Sequence, residues 1–126
     1  MLNLNELCVM AYENAKKREA KDGKVSTNTR LMLKHTATEV VEAAESYSLF
    51  KHMKDITSDG TNYEGFEEPD TVCESYCNSK KHFSSELVDI VCCCMIIAAK
   101  ENIDMEYAIT ACMEKNYKRA IGEGDK

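Results

Sequence analysis

Residues 86–100 read ELVDIVCCCMIIAAK, and this stretch decides the fold class. The segment Ile90–Ala99 is apolar at every angle around a helix axis, which predicts a helix buried on all sides. The whole chain of 126 residues has only one proline and five glycines, so few residues interrupt helices. The sequence therefore predicts one all-α domain over residues 1–126, built as a four-helix bundle.

The bounds of the four helices follow from hydrophobic periodicity and from capping residues. Gly23 marks the end of the first helix, and Asp104 can cap the fourth. A glycine-containing and mostly polar segment predicts a long loop between helices two and three, with room for one short helix. Helix one is predicted to span 3–22, and helix two to begin after a capping residue among 26–28 and to end near 54. The loop covers 55–82. Helix three is predicted to begin at a residue between 78 and 85 and to end at 101, and helix four to run from 104 to about 119.

Two apolar stripes are expected to face the core. On helix two the stripe consists of Leu33, Ala37, Val40, Val41, Ala44 and Tyr47. On helix four it consists of Ala108, Ile109 and Cys112. Glu39 and Glu42 lie almost opposite the helix-two stripe, so one face of that helix is apolar and the other carries carboxylates.

Charge and composition exclude several classes of function. The net charge of −6 argues against a protein that binds duplex nucleic acid by neutralising phosphates. Seven cysteines, three of them consecutive at Cys92–Cys94, are typical of a reducing compartment. The N-terminal segment contains acidic residues and no continuous apolar core, so it does not resemble a signal peptide. The longest uncharged run elsewhere, Ile90–Ala99, is about half of the roughly 20 residues that a membrane span needs. We therefore expect a soluble cytoplasmic protein with no membrane association.

Two pairs of acidic residues with the same spacing carry the functional argument. Glu39 and Glu42 lie about 60° apart on helix two, and Glu86 and Asp89 repeat this spacing on helix three. An ExxE pair on an amphipathic helix is commonly a solvated surface. Asp89, by contrast, is flanked by apolar residues, and an unpaired buried charge costs several kcal/mol.

If the four carboxylates come within about 5 Å of each other, each pair would repel by roughly 3 kcal/mol at an effective dielectric of 20. Three outcomes remain open: the cluster binds a divalent cation, it is partly protonated, or the two pairs do not meet. If a cation binds, ligation by oxygen alone favours Mg²⁺, for which Mn²⁺ can substitute, over Zn²⁺.

The combination TEVVEAAE at 38–45, ELVDI at 86–90 and MEKNYKR at 113–119 resembles the MazG-like all-α nucleoside triphosphate pyrophosphohydrolases, especially small phage-type members. The resemblance covers about 31–119 apart from the loop. It implies hydrolysis of an NTP or dNTP to the monophosphate and pyrophosphate. It also implies assembly into a homodimer or homotetramer.

The resemblance assigns roles to seven residues of this chain. The catalytic and metal-binding acids would be Glu39, Glu42, Glu86 and Asp89. The residues that contact the triphosphate or sugar would be Lys115, Asn116 and Arg119. The chain departs from the family pattern at Thr38, where many members have a glutamate, and in the length of its loop.

Several other interpretations stay open at this stage. Cys73, Cys77 and His82 have a loose zinc-like spacing, although structural zinc normally has four ligands. His35 lies one turn before Glu39 and can contact a ligand, although exposed helical histidines are common. A non-catalytic nucleotide-sensing or assembly bundle is the main alternative function. A di-iron carboxylate bundle is less favoured because it needs Glu-x-x-His pairs, which the acidic helices lack.

Overall fold

The computed structural model describes residues 2–23, 25–58 and 69–122, with the side chains of 58 and 69–73 excepted. These ranges contain α-helices and no strand, which confirms the all-α prediction. The helices are α1 (Leu4–Asp22), α2 (Thr29–Ser58), α3 (Pro69–Lys100) and α4 (Met105–Ala120).

The helix ends are set by local capping, as the sequence predicts. Gly23 follows α1 in the left-handed conformation (φ 69°), and Asp104 accepts a hydrogen bond from the Tyr107 amide at the start of α4. Asn28 caps α2 through a 3.1 Å bond from the Leu31 amide. After α3, Asn102 takes a positive φ of 56°, a conformation that asparagine tolerates better than most residues. Each helix boundary that has a strong capping residue lies within two residues of its prediction.

The predicted loop 55–82 is wrong over most of its length. α2 continues to Ser58, and α3 already begins at Pro69, a residue type favoured in the first turn of a helix. Residues 59–68 lie outside the described part of the chain. The early part of α3 is helical because Tyr76 and Phe83, seven residues apart, share one face that packs on α2. Ser79 is buried on the same face, while the other residues between the two rings are exposed.

The chain divides into two compact units, one formed by Met1–Met32 with Cys94–Lys126 and the other by Leu33–Cys93. In the first unit, the N-terminal turns of α1 and α4 cap each other. Asn5 Nδ2 donates to Asp104 Oδ1 at 2.8 Å, and Glu106 Oε1 accepts from the Leu4 amide at 3.2 Å. These bonds hold α4 by its first turn.

α4 buries none of its residues in the single chain. The prediction that Ala108, Ile109 and Cys112 face inward is therefore wrong for one subunit: all three are exposed. The physical reason is that the bonds tying α4 to α1 lie at its first turn, which leaves the later turns uncovered.

In the second unit, α2 and α3 pack as an antiparallel pair. The rings of Tyr47 and Phe50 contact Phe83 with centroids 5.4 and 5.6 Å apart, and Phe50 also stacks on Tyr76 at 5.7 Å. The inward positions repeat every three and four residues on both helices, as in a coiled coil. We call these positions the seam: Thr36, Glu39, Ala43, Ser46, Phe50 and Met53 on α2, and Tyr76, Ser79, Phe83, Glu86, Ile90 and Cys93 on α3.

The seam is not the face that the apolar stripe of helix two predicted. Every residue of that stripe is exposed in the single chain, with Val40 at 50% and Val41 at 57%. The segment Ile90–Ala99 of α3 is likewise not buried on all sides, because Val91 is 53% exposed and Cys94 is also exposed. Both predictions fail because the two helices cover only one face of each other and leave the adjoining apolar face open.

Candidate functional site

Three of the four predicted acidic residues converge on the seam of the second unit. Glu39 on α2 and Glu86 on α3 both occupy seam positions and face each other across the helix pair. Glu42 lies one turn after Glu39, beside the seam. One carboxylate oxygen from each of these three residues lies within 4.8 Å of the other two. We refer to Glu39, Glu42 and Glu86 as the acidic centre.

The two seam glutamates are largely buried and incompletely hydrogen-bonded. Their side chains are only 11% (Glu39) and 13% (Glu86) exposed. In each, the Oε2 atom is inaccessible to solvent and has no hydrogen-bond donor among the described residues. A buried carboxylate oxygen without a donor costs free energy, so both atoms have an unused capacity to bind a proton or a cation.

Electrostatics inside the acidic centre favour a proton on Glu39. Burial raises the pKa of Glu39 above its ordinary value, and the neighbouring Glu42 carboxylate raises it further through its charge and a hydrogen bond. His35 opposes this change, and the charge of Asp89 adds to it. The raised pKa makes protonation of Glu39 easier in the metal-free centre, and partial protonation is one of the outcomes that the sequence left open.

Each seam glutamate also contacts a histidine one turn earlier on its own helix. The distance from His35 Nε2 to Glu39 Oε1 is 3.0 Å, and that from His82 Nε2 to Glu86 Oε1 is 3.5 Å. Both imidazoles are more than half exposed, at 55% and 64%. In both glutamates the Oε1 atom thus faces an imidazole, while the Oε2 atom has no donor.

Asp89, the fourth predicted acid, differs from its expected environment. The sequence predicts it as buried and in need of a counter-ion, but its side chain is exposed. This happens because Asp89 follows Glu86 by three residues and lies beside the seam, as Glu42 does after Glu39. Its charge still reaches the centre, since it raises the pKa of Glu39 and, after burial, that of the Cys92 thiol.

The three predicted substrate-binding residues lie on α4 of the first unit. Lys115, Asn116 and Arg119 are all exposed and fall within about one helical turn of each other. The Asn116 amide nitrogen lies 3.7 Å from the Cys112 sulfur. Exposed cationic and amide groups of this kind can contact phosphate oxygens.

A nine-residue pattern that occurs on both α2 and α3 also marks this centre, in addition to hydrophobic periodicity and the spacing of the acids. Residues 34–42 read KHTATEVVE and residues 81–89 read KHFSSELVD, so each helix carries the pattern K-H-x-x-[ST]-E-[VL]-V-[DE]. The helices are antiparallel and Glu39 meets Glu86, which relates the two segments by an approximate two-fold axis through the acidic centre. His82 was missed as a residue of this centre, and comparing the two segments reveals it.

The zinc interpretation gains no support from the described side chains. His82 is directed to Glu86, and Cys77 is exposed. The side chain of Cys73 lies outside the described residues. A group of at least three possible metal ligands occurs in the described part of the chain at Glu39, Glu42 and Glu86.

Comparisons of the chain with family models, curated proteins and solved structures find no match. The relation to MazG-like enzymes therefore rests on the order and spacing of the acidic pairs and stays a prediction. What the structure adds is independent of that relation: three carboxylates brought together, two of them buried with an oxygen that lacks a donor.

Proposed function

We propose that this protein is a Mg²⁺-dependent nucleoside triphosphate pyrophosphohydrolase of the MazG-like type. The observation that carries the proposal is the acidic centre, in which Glu39 and Glu86 each present a buried oxygen without a donor. A donor set made of carboxylate oxygens suits a hard divalent cation, and Mn²⁺ can replace Mg²⁺ in such a site. When bound, the cation would neutralise the charge of the triphosphate and fix its position.

The proposed reaction forms one bond and breaks one. The oxygen of a water molecule bonds to the α-phosphorus, and the bond from that phosphorus to the α–β bridging oxygen breaks. A carboxylate accepts a proton from the water, and pyrophosphate departs with the electron pair of the broken bond. The products are a nucleoside monophosphate and pyrophosphate.

The residues of the chain divide these tasks. Glu39, Glu42 and Glu86 would bind the cation, and Asp89 supports their negative potential from its exposed position. Lys115, Asn116 and Arg119 are proposed, from the resemblance, to contact the phosphates and the sugar, where cationic groups stabilise the departing pyrophosphate.

The test is a panel of NTPs and dNTPs incubated with the full chain and Mg²⁺ or Mn²⁺, with pyrophosphate release as the readout. In water enriched with ¹⁸O, the label should enter the nucleoside monophosphate, because water attacks the α-phosphorus. Label in pyrophosphate instead would indicate that water attacks the β-phosphorus and that the nucleoside monophosphate is the leaving group. The proposal fails if no nucleotide is turned over with either cation.

Matched variants separate the acidic centre from general surface charge. Glu39→Gln and Glu86→Gln should lower kcat/KM by at least about 100-fold, since each removes a cation ligand. Glu45→Gln removes the same charge from an exposed position on α2 and should leave activity unchanged. Nucleotide binding without product would favour the sensing or assembly bundle, and stoichiometric iron in the purified protein would favour the di-iron class.

The functional protein is proposed to be a homodimer or homotetramer. α2 and α3 leave an apolar face open beside the seam, formed by Leu33, Val40, Val41, Leu87, Val88 and Val91. These side chains are at least 46% exposed in one chain, and a second copy would remove them from water. This face lies away from Glu42 and Asp89, so assembly would leave the acidic centre accessible.

The assembly proposal is tested by mass in solution. Light scattering after size exclusion should give at least twice the chain mass of 14.2 kDa for the wild type. Val41→Glu with Val88→Glu should shift the mass toward 14.2 kDa, because it places charge in the buried contact. Asn78→Glu is the control, because this exposed position lies on the side of α3 that carries Asp89, and it should leave the mass unaltered.

A soluble cytoplasmic location is proposed together with this function. By length and composition alone, the segment Glu74–Lys100 of α3 could cross a membrane, because an 18-residue window within it has a mean hydropathy of 1.6. The same segment carries Glu86 and Asp89, and charged residues inside a bilayer cost several kcal/mol. In the proposed enzyme the apolar residues of α3 serve the seam and subunit contact. The net charge of −6 is unfavourable for binding duplex nucleic acid.

A further inference from the structure

We propose that His35 and His82 are positioning residues, which hold one oxygen of Glu39 and Glu86 so that the other oxygen is presented to the cation. This inference rests on the proposed function, since it assigns the acidic centre to a divalent metal. It concerns two side chains that lie outside the set of acidic ligands and that the reaction itself does not require.

The first step of the argument is the distribution of contacts over the two carboxylates. In Glu39 and in Glu86, Oε1 faces an imidazole nitrogen at 3.0 and 3.5 Å, while Oε2 is buried and accepts no hydrogen bond from any residue that the structure describes. A histidine N–H directed at Oε1 restricts rotation of the carboxylate group. In the proposed centre, the remaining buried oxygen, Oε2, is the one presented to the cation.

The second step is that this arrangement occurs twice. Both helices place the histidine four residues before the seam glutamate, within the shared pattern of 34–42 and 81–89. An exposed histidine beside one glutamate is a common surface contact. Two such contacts related by an approximate two-fold axis, each on the buried ligand of its helix, point to a role for the contact in the centre.

The third step excludes the neighbouring lysines from this role. Lys34 and Lys81 precede the histidines in the shared pattern, but they stand five residues before Glu39 and Glu86. Five residues correspond to about 140° around a helix, so these amino groups project from a different face. The imidazoles are the side-chain donors that contact the Oε1 atoms.

The experiment is Mn²⁺ binding to the full chain, followed by electron paramagnetic resonance and calorimetry in the absence of nucleotide. His35→Ala and His82→Ala should each raise the Kd for Mn²⁺ by about 10-fold or more, as expected when a group that orients a metal ligand is lost. His35→Gln and His82→Gln should restore binding to within about threefold of wild type, because the glutamine amide can donate from a similar position. His52→Ala, at an exposed position on the same α2, should bind like wild type.

The outcomes distinguish this inference from the proposed function. If the wild type binds no Mn²⁺, both fall. If the wild type binds Mn²⁺ and the alanine variants bind equally well, only the positioning role falls. Pulsed resonance gives a further readout, because coupling of the bound Mn²⁺ to histidine nitrogen would make the histidines direct ligands and would overturn the role proposed here.

Circular dichroism of the metal-free variants guards against a purely structural effect. The alanine and glutamine variants should keep wild-type helicity, because both histidines are exposed. If a glutamine variant folds like wild type but binds Mn²⁺ as weakly as the alanine variant, the hydrogen bond is not what the centre needs, and the proposal is wrong.

Discussion

Replacing Glu39 with glutamine should stabilise the metal-free protein at neutral pH, although it removes a proposed metal ligand. Glu39 lies within 4.8 Å of Glu42 and Glu86, and two unit charges at that distance repel by roughly 3.5 kcal/mol at an effective dielectric of 20. Glutamine keeps the size of the side chain and removes the charge. Both repulsions involving this residue then disappear.

Protonation of Glu39 in the wild type sets an upper limit on how much Glu39→Gln can raise the free energy of unfolding. The wild type can avoid the repulsion by placing a proton on Glu39, which leaves a neutral side chain much like glutamine. For a carboxyl whose ordinary pKa is 4.5, this costs about 1.4 kcal/mol per pH unit, or about 3.4 kcal/mol at pH 7. We therefore expect Glu39→Gln to raise the free energy of unfolding by about 1–3 kcal/mol at pH 7 in EDTA.

The gain should depend on pH in a defined direction. Because the pKa of Glu39 is raised in the folded protein, the folded state holds its proton more tightly than the unfolded chain does. The associated stability is fully present below pH 4.5 and is lost as the pH rises through the raised pKa. The difference between variant and wild type should therefore be small below pH 4.5 and should grow with pH before it levels off.

Urea unfolding followed by circular dichroism, from pH 4 to pH 8 in EDTA, measures this difference. Glu45→Gln, an exposed charge on the same helix, should change the unfolding free energy by less than about 0.5 kcal/mol. Millimolar Mg²⁺ should stabilise the wild type and leave Glu39→Gln nearly unaffected, since only the wild type keeps the ligand. A variant no more stable than wild type in EDTA, or a gain independent of pH, would refute the electrostatic argument.

Three further predictions follow from the same structure. Phe83→Ala should cost about 2–3 kcal/mol in chemical unfolding, because it removes the ring that Tyr47 and Phe50 contact, whereas Tyr107→Ala, 74% exposed, should cost little. Asn102→Ala should lower stability by about 1 kcal/mol and Asn102→Gly should not, because the residue has a φ of 56°. Mg²⁺ should still raise the melting temperature of Asp89→Asn, though by less than it raises that of the wild type, because this carboxylate is exposed. If Mg²⁺ no longer raises the melting temperature of the variant at all, Asp89 is an essential ligand.

The sequence predicts those features of the fold that depend on neighbouring residues, above all the helix boundaries. Gly23 and Asp104 mark helix boundaries because a left-handed residue or a capping side chain acts within a few residues of itself. The start of α3 was missed because its inward residues, Tyr76 and Phe83, are separated by polar residues and obtain their helical conformation from packing on Phe50.

The sequence predicts which acidic residues come together in the acidic centre, but it does not predict which of them are buried. Equal spacing of the acids on two helices correctly brings Glu39, Glu42 and Glu86 together. Which acid is buried depends on which face of each helix meets the other, and α2 has two candidates, an apolar stripe and the seam. Packing selects the seam, so Glu39 is buried and Asp89 exposed, the reverse of what hydrophobicity alone predicts.

The two-fold relation between 34–42 and 81–89 means that the centre is built from one nine-residue design used twice. Half of the chemistry is therefore encoded in a single helical segment. In a synthetic peptide spanning α2 alone and paired antiparallel with a second copy, two copies of His35 and Glu39 would face each other as the histidines and glutamates of α2 and α3 do in the protein. Glu42 of the second copy would then take the place of Asp89.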